Sequence, residues 1–414
     1  MRWVSIFPES RPSRMFTRRR FLLLLPAYAA SAQSFNSPFR RKKPLPPGPT
    51  RVFIGTDTSK GVSKGIYHAT FNARNGQLSV PILAAETLRP SYLALSPLRA
   101  GRHSLYAVNA VPEPSATVTT FDLDPKTGTL TQKGKVTSAG AGPAYVSVDS
   151  TGNAAFVADY YGGAIASYRI QPDGTLSEPV STFDYKDPKF GHHGPVPGRQ
   201  DGPHPHSVFV SPDDRFLIVC DLGNDALSVF QIDTGTGKLT PGTPLLTSLR
   251  PGSGPRHIAF HPNGRWIYLI NELDSTLDHL LWSATHSVTH PQGLLVNTNT
   301  TVKTIAPGFP AEKNTAAEVM ISPDGNFLYA SNRGEDTLVV FAIGEGGALN
   351  EIQRISCGGK TPRQFTFDPT FGWILCGNQD SASITIFRRD QGTGKLAGPV
   401  ETVPVDSPLF TLFA

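Results

Sequence analysis

The hydrophobic positions of this chain follow a motif that recurs about every 46 to 62 residues. Each copy opens with alternating apolar and polar residues, passes through a turn such as SPDG into a second apolar run, and continues into a third run before a turn of the type TGxL. Alternation with a period of two predicts short β-strands. Most copies open at a proline, namely Pro90, Pro143, Pro205, Pro255, Pro362 and Pro408.

The pattern is incomplete at both ends. The segment RVFIGTDT matches the second strand of a copy, whereas the C-terminal SPLFTLFA matches a first strand. Repeats of this length, with about four strands each, are typical of propeller blades, and a propeller closes into a ring. We therefore predict an all-β fold, one seven-bladed β-propeller over residues 50–414, in which the C-terminal strand completes the N-terminal blade.

One copy departs from the pattern. After INELD, the expected third strand is replaced by STLDHLLWSATHSVTHPQGLL, which lacks the TGxL turn. We expect an irregular outer strand there, because the outer strands of a blade lie far from the channel.

Residues 1–32 predict a signal peptide of the Tat type. Arg18 and Arg19 precede the apolar run FLLLLPAYAA and the small-residue site Ala30-Ser31-Ala32. This arrangement is typical of secretory signals, and an apolar run of about ten residues is too short to span a bilayer. We expect cleavage near Ala32 and a periplasmic protein without stable membrane insertion; Met15 is an alternative start.

The net charge of +5 belongs to this N-terminal segment. Residues 1–32 contain six arginines and one glutamate, so cleavage reduces the 38 basic and 33 acidic residues to 32 of each. A neutral chain has no electrostatic basis for binding nucleic acid. Residues 33–49, which include RRKK and PLPPGP, predict a Pro-rich basic linker.

The three cysteines do not form a disulfide framework, because their number is odd. Cys220 and Cys376 lie in apolar runs, where cysteine acts as a small hydrophobic residue. A bridge between Cys357 and Cys376 is an alternative in an oxidising compartment.

Polar residues at strand ends are predicted to meet at one mouth of the channel. The start of a first strand lies beside the end of its antiparallel second strand, and propeller ligands bind where such ends converge. The residues concerned are His206, Arg256, Glu318 and Arg363 at first-strand starts, and Asp159, Asp221, Glu272, Arg333 and Gln379 at second-strand ends.

The arginines favour a functional site over a structural one. Arg256, Arg333 and Arg363 would repel one another in a small pocket unless acidic partners or an anionic ligand were present.

Some polar residues have a structural interpretation instead. Asp159 and Asp221 are expected to cap turns, and His261 lies in the turn HPNGR, at the position where related turns have serine.

Four histidines, His192, His193, His204 and His206, could also be interpreted as metal ligands, since H-x-H spacing allows two ligands from one segment. The neighbouring arginines would lower the affinity for a cation, so we predict neither a metal site nor a cofactor.

The segments that contain these residues resemble the seven-bladed propeller lactonases, which include the bacterial propeller-type 6-phosphogluconolactonase and the fungal carboxymuconate lactonizing enzyme. The matching segments are RQDGPHPHSV, GPRHIAFHPNGRWIYLINEL, AAEVMISPDGNFLYASNRG and GGKTPRQFTFDP.

The resemblance implies a lactone hydrolase of the 6-phosphogluconolactonase type. Its proposed catalytic group corresponds to His206, Arg256, Glu272 and Arg333. His206 or Glu272 would act as the base that activates water, and the arginines would stabilise the oxyanion and the product carboxylate. Further substrate contacts are expected from His204, His257, Glu318, Arg363 and Gln379.

Other functions remain open at this point. The same arginines would suit a carboxymuconate-type cycloisomerase, and a propeller can also be a non-catalytic binding module. A calcium-dependent propeller lactonase would need carboxylate and amide ligands instead of arginines. We expect a monomer whose partner is a small lactone.

Overall fold

The alternating runs form 29 β-strands in seven antiparallel sheets, within the residues that the computed structural model describes: 48–59, 61–98, 101–112, 116–285 and 292–414. Each sheet is one blade of a β-propeller, which confirms the predicted fold.

The strand bounds follow the repeats. Blade 1 contains β1 (Pro49–Thr56), β2 (Gly65–Asn72), β3 (Gln77–Leu78), β4 (Ile82–Glu86) and the C-terminal β29 (Pro408–Phe413). Blade 2 contains β5 (Pro90–Leu95), β6 (His103–Asn109), β7 (Thr117–Leu123) and β8 (Leu130–Thr137), and blade 3 contains β9 (Pro143–Val148), β10 (Ala154–Asp159), β11 (Ala164–Ile170) and β12 (Leu176–Asp184). Blade 4 contains β13 (Pro205–Val210), β14 (Phe216–Asp221), β15 (Ala226–Asp233) and β16 (Lys238–Ser248).

Blade 5 contains β17 (Pro255–Phe260), β18 (Trp266–Asn271), β19 (Thr276–Ala284) and β20 (Gly293–Lys303). Blade 6 contains β21 (Thr315–Ile321), β22 (Phe327–Arg333), β23 (Thr337–Ile343) and β24 (Leu349–Ser356), and blade 7 contains β25 (Pro362–Phe367), β26 (Trp373–Asn378), β27 (Ser383–Arg389) and β28 (Leu396–Pro404). Short 3-10 helices lie at Pro188–Phe190, Ala311–Lys313 and Glu345–Gly347.

The ring closes in blade 1. Strand β29 pairs with β1, from Val52 opposite Phe413 to Thr56 opposite Pro408. The first and last described strands therefore share one sheet, as the incomplete ends of the pattern predict.

Apolar side chains between neighbouring blades form the core. Phe216 and Ile218 of β14 pack with Ile258 and Leu269 of blade 5, and all four side chains are buried. Burial against the adjacent blade stabilises the ring, because a blade alone would expose these faces to water.

Hydrogen bonds also tie consecutive blades together. The hydroxyl groups of second-strand tyrosines donate to glycine carbonyls in the outer turn of the next blade, and Trp373 Nε1 donates to Ala73 O across the closure. The tyrosine pairs are Tyr106 with Gly174 at 2.8 Å, Tyr268 with Gly347 at 2.8 Å and Tyr329 with Gly394 at 2.6 Å.

Every first strand is bulged near its start. The register with the second strand shifts there in all seven blades, so that one residue, or two in blade 6, has no direct partner. A β-bulge re-aims the side chain of its extra residue. The bulge residues, in blade order, are Leu409, Ser91, Ala144, His206, Arg256, Ala317 with Glu318, and Arg363.

The third strand of blade 5 is present as β19, and its pairing with the outer strand β20 has one irregularity, a register shift between His279 and Leu280. Strand β19 pairs with β18 from Thr276 to Leu281 and with β20 from Thr276 to Ala284. The sequence hides this strand because it buries polar residues: Asp278 is fully buried and accepts hydrogen bonds from Arg250 and Asn271. The turn that lacks TGxL includes residues 286–291, which lie outside the described residues.

The predicted signal peptide and most of the predicted linker lie outside the described residues, which begin at Gly48. In the described part of the chain, no helix is both long and apolar enough to cross a membrane. Cys220, Cys357 and Cys376 are buried free thiols, so the alternative disulfide between Cys357 and Cys376 is not formed in this structure.

Candidate active site

A cavity of about 700 Å³ lies where first-strand starts and second-strand ends meet. Of the residues singled out from the sequence, the cavity is lined by His204, His206, Glu272, Arg333 and Arg363. Arg256, His257 and Glu318 instead surround a void of about 10 Å³, which also touches His206 and Arg363. Gln379 lines neither of these two spaces.

The bulges divide the mouth into two halves. Blades 1 to 3 contribute the small or apolar side chains Leu409, Ser91 and Ala144, all of which line the large cavity. Blades 4 to 7 contribute the imidazole, guanidinium and carboxyl groups. The small residues leave room for a ligand, and two of the polar bulge residues, His206 and Arg363, line the same cavity.

Glu272 binds three arginines. Its Oε2 accepts a hydrogen bond from Arg256 Nε at 3.0 Å and forms an ion pair with Arg333 Nη2 at 2.8 Å, and its Oε1 accepts from Arg199 Nη2. Burial alone would raise the pKa of Glu272, but Arg333, Arg256 and Arg199 together hold it well below the usual range. The carboxylate is therefore charged and holds the arginines in place.

His206 is a buried, neutral imidazole. Burial, Arg256 and His257 lower its pKa well below the ordinary value. Its ring contacts those of Tyr160 and His257 edge-on, with centroids 5.6 and 5.1 Å away. Its Nδ1 has no hydrogen-bond partner among the described residues. At neutral pH this side chain can accept a proton.

His204 supports the neighbouring ring. It stacks on Tyr160 at 4.5 Å between centroids, and its Nδ1 lies 2.7 Å from Tyr160 O. Tyr160 in turn contacts His206, so His204 acts on His206 through Tyr160.

A buried pair lies beneath the cavity floor. His257 Nδ1 is 2.9 Å from Glu318 Oε1, and Arg256 Nη1 donates to Ala317 O. Burial lowers the pKa of His257 although Glu318 raises it. Burial and Arg333 lower the pKa of Arg256 to about 10. Sequence analysis expected substrate contacts from His257 and Glu318; both line the smaller void together with His206, and neither lines the larger cavity.

Arg363 is different from the other arginines. It makes no hydrogen bond or ion pair with any residue that the structure describes, and it lines both spaces. Burial, Arg256 and Arg333 lower its pKa to about 9. A guanidinium whose N–H groups have no ion-pair or hydrogen-bond partner can bind an anion.

The hydrogen bonds of Asp221 agree with the turn cap expected there. Asp221 Oδ1 accepts from the backbone N–H groups of His204, Gly223 and Asn224, and burial raises the pKa of this carboxyl to about 7. Asp159 accepts from Ser138 Oγ.

His261 accepts from Asn263 N within its own turn. His192 and His193 are exposed and do not line the large cavity. Across the described ranges, no group of three or more His, Cys, Asp or Glu side chains is arranged to hold a metal ion.

Tyr160 and Arg199 are among the residues lining the cavity that sequence analysis did not single out. Arg199 lies in the unpatterned connection between β12 and β13, and its one signal was its place in the matching segment RQDGPHPHSV. With it, basic side chains outnumber acidic ones around the cavity: Arg89, Lys186, Arg199, Arg333 and Arg363 against Asp201 and Glu272.

Known proteins share this architecture. The family model for the 7-bladed β-propeller lactonases matches residues 51–413. The chain is 31% identical to the 6-phosphogluconolactonase of Bacillus subtilis strain 168 over 363 residues, which cover 87% of this chain and 97% of that protein.

Solved structures agree with this match. A periplasmic gluconolactonase from Pseudomonas aeruginosa is 30% identical with a TM-score of 0.77, covering 88% of this chain and 99% of that one. A Lactobacillus plantarum protein is 33% identical with a TM-score of 0.77 and the same coverage. This chain therefore belongs to the family of seven-bladed β-propeller lactonases, and it is an enzyme of the lactone-hydrolysing type.

Proposed function

We propose that this enzyme opens an anionic or polyhydroxylated sugar lactone with water, using His206 as general base and Arg363 as oxyanion donor. The observation that carries the proposal is the presence, on one cavity wall, of a neutral imidazole beside an unpaired guanidinium.

The proposed reaction needs no group beyond these side chains and water. His206 takes a proton from water as the oxygen attacks the lactone carbonyl carbon, and Arg363 stabilises the resulting oxyanion. The tetrahedral species then breaks its bond to the ring oxygen, which receives the proton from His206. The product is an open-chain hydroxy acid, and the imidazole is neutral again.

Glu272 has another role in this scheme. Sequence analysis left either His206 or Glu272 as the base. Both oxygens of Glu272 are engaged by arginines, whereas His206 Nδ1 has no hydrogen-bond partner among the described residues, and this difference favours His206. We assign to Glu272 the orientation of Arg199, Arg256 and Arg333.

The proposed substrate class is supported by the basic cavity and by the relatives. The Bacillus subtilis relative is a 6-phosphogluconolactonase and the Pseudomonas aeruginosa one a periplasmic gluconolactonase. With the Tat-type sequence of residues 1–32, we further propose that the enzyme is exported and acts on a sugar lactone in the periplasm.

A lactone panel tests the function. The purified protein would be followed with a pH indicator against gluconolactone, 6-phosphogluconolactone and a neutral lactone, with spontaneous hydrolysis subtracted. We expect acceleration of at least one sugar lactone, and its persistence in EDTA. No acceleration over background, or activity lost to EDTA and restored by calcium, would contradict the proposal.

Two variants separate the proposed roles. His206→Asn should lower kcat by about 10²- to 10⁴-fold without lowering the melting temperature appreciably. Glu272→Gln should lower both kcat and the melting temperature, because three arginines lose their counter-charge. Its residual activity should keep an acid limb, moved to lower pH because the charge of Glu272 raises the pKa of His206. If that limb disappears in Glu272→Gln and persists in His206→Asn, Glu272 is the base.

A further inference from the structure

We propose that Arg199 is a substrate-binding residue that contacts the carboxyl group formed when the lactone opens. This inference rests on the proposed function, and it assigns a role to the connection between β12 and β13. Besides Arg199, six residues of that connection line the cavity, namely Lys186, Gly198, Asp201, Gly202, Pro203 and His204.

The backbone around Arg199 is held firmly against blade 4. Its neighbour Gln200 is buried, donates to Leu222 O at 2.8 Å and accepts from Val196 N at 3.1 Å. Gly194 N also donates to Gly223 O. The position of Arg199 over the cavity is therefore built into the fold.

The three arginines that bind Glu272 differ in their other hydrogen bonds and in their exposure to solvent. Arg256 is also bonded to Ala317 O, and Arg333 to Thr315 O and Ala316 O. Their side chains are 3% and 12% exposed, whereas that of Arg199 is 36% exposed.

Arg199 retains unused hydrogen-bond donors. Its Nη2 contacts Glu272 Oε1 and lies 3.5 Å from the hydroxyl of Tyr160. Its Nε and Nη1 have no hydrogen-bond partner in the described part of the chain. A guanidinium can bind one carboxylate through one edge and a second through another, because its five N–H groups form a rigid fork.

The location fits a contact with the reacting group. Tyr160 packs against His206, and the Tyr160 hydroxyl also approaches Arg199, so Arg199 lies in the neighbourhood of the base. Arg363 comes from blade 7 and Arg199 from the segment that precedes blade 4. Two guanidiniums from different parts of the ring can bind the two oxygens of a carboxylate product.

The experiment measures the binding of product-type acids as well as catalysis. Gluconate and 6-phosphogluconate would be titrated calorimetrically into the wild type, Arg199→Ala and Arg199→Lys. A charge-assisted contact to a carboxylate corresponds to about a 10- to 100-fold change in Kd. We expect Arg199→Ala to raise the Kd of the acid that the wild type binds by that factor. Its KM should rise by the same factor, with a smaller change in kcat. The Kd and KM of Arg199→Lys should lie between those of the wild type and Arg199→Ala, because lysine keeps the positive charge but lacks the rigid fork of guanidinium N–H groups.

Arg215 provides a matched control. It forms an ion pair with Asp213 at 2.9 Å, its side chain is 29% exposed, and it lies in the turn between β13 and β14, at the other end of the strands. Arg215→Ala should leave Kd and KM unchanged. Wild-type affinity and KM in Arg199→Ala, or an equal loss in Arg215→Ala, would overturn the inference.

The two proposals fail in different ways. If the wild type neither hydrolyses the panel nor binds the acids, the proposed function fails and this inference fails with it. If the wild type does both and Arg199→Ala behaves like the wild type, the inference about Arg199 alone is wrong. If Arg199→Ala does not fold, the Kd and KM of Arg199→Lys still test whether Arg199 contacts the carboxylate.

Discussion

Arg363 and His206 are coupled by charge, and this coupling can be measured. Arg363 is among the groups that lower the pKa of His206, after burial, Arg256 and His257. A lowered pKa means that the imidazole stays neutral until the pH falls well below the ordinary value of about 6.5. The acid limb of kcat/KM should therefore lie below that value in the wild type.

We expect Arg363→Gln to change both the rate and the pH profile. Losing an oxyanion donor should lower kcat by about 10²- to 10³-fold. Removing a positive charge also raises the pKa of His206, so the acid limb should move to higher pH. The measurement is a pH-rate profile beside that of Arg215→Gln. An acid limb that stays in place or moves to lower pH would argue against His206 as the base.

Sequence analysis could identify the residues that are tied to the repeat. His206, Arg256 and Arg363 each directly follow the proline that opens a first strand, so the pattern placed them at the mouth. Arg199 could not be found in this way, because the path of its connection depends on the hydrogen bonds of Gln200. The separation of Arg256 from the large cavity depends on packing depth, which periodicity does not specify.

At the scale of strands and turns, the repeat predicts well where burial alternates. Proline, glycine and aspartate mark the turns, so the first strands and the ring closure could be predicted. Strand β19 could not, because Asp278 and His279 are buried beside apolar residues and the alternation disappears. This strand forms because it pairs with β18 and β20 of blade 5, and those pairings cannot be recognised from the segment alone.

The inter-blade tyrosines give a test at this scale. Replacing Tyr106 or Tyr268 by Phe leaves a glycine carbonyl without its donor and should cost about 1 kcal/mol of stability. Tyr329→Phe should cost more, because the Tyr329 hydroxyl also accepts from the buried Arg389 Nε at 2.6 Å. Denaturant and thermal midpoints of the three variants would be compared. Equal shifts in all three would show that the Arg389 contact adds nothing.

At the scale of the whole molecule, the ring brings residues from distant parts of the chain to one mouth. Arg199 and Arg333 meet on Glu272 although they belong to different blades or connections. The site therefore forms only when the blades are assembled, which requires β29 in blade 1.

Export is the remaining prediction at this scale. In a host with a Tat system, replacing Arg18 and Arg19 by Lys should abolish the appearance of the protein in the periplasm, since the arginine pair is lost while the charge is kept. Arg11 and Arg14, replaced by Lys in the same way, serve as the control. Undiminished periplasmic protein in the Arg18 and Arg19 variant would exclude this route.

The bulges give ligand specificity a place to change within the ring. A bulge residue has no direct partner in its strand ladder, so exchanging its side chain leaves the ladder intact. At Ser91, Ala144 and Leu409, which line the cavity, a new side chain would change what a ligand meets, with the loss of the Ser91 hydrogen bond to Pro143 O or of the buried Leu409 side chain. Selection could in this way produce enzymes for different lactones from one ring, with each blade changing independently.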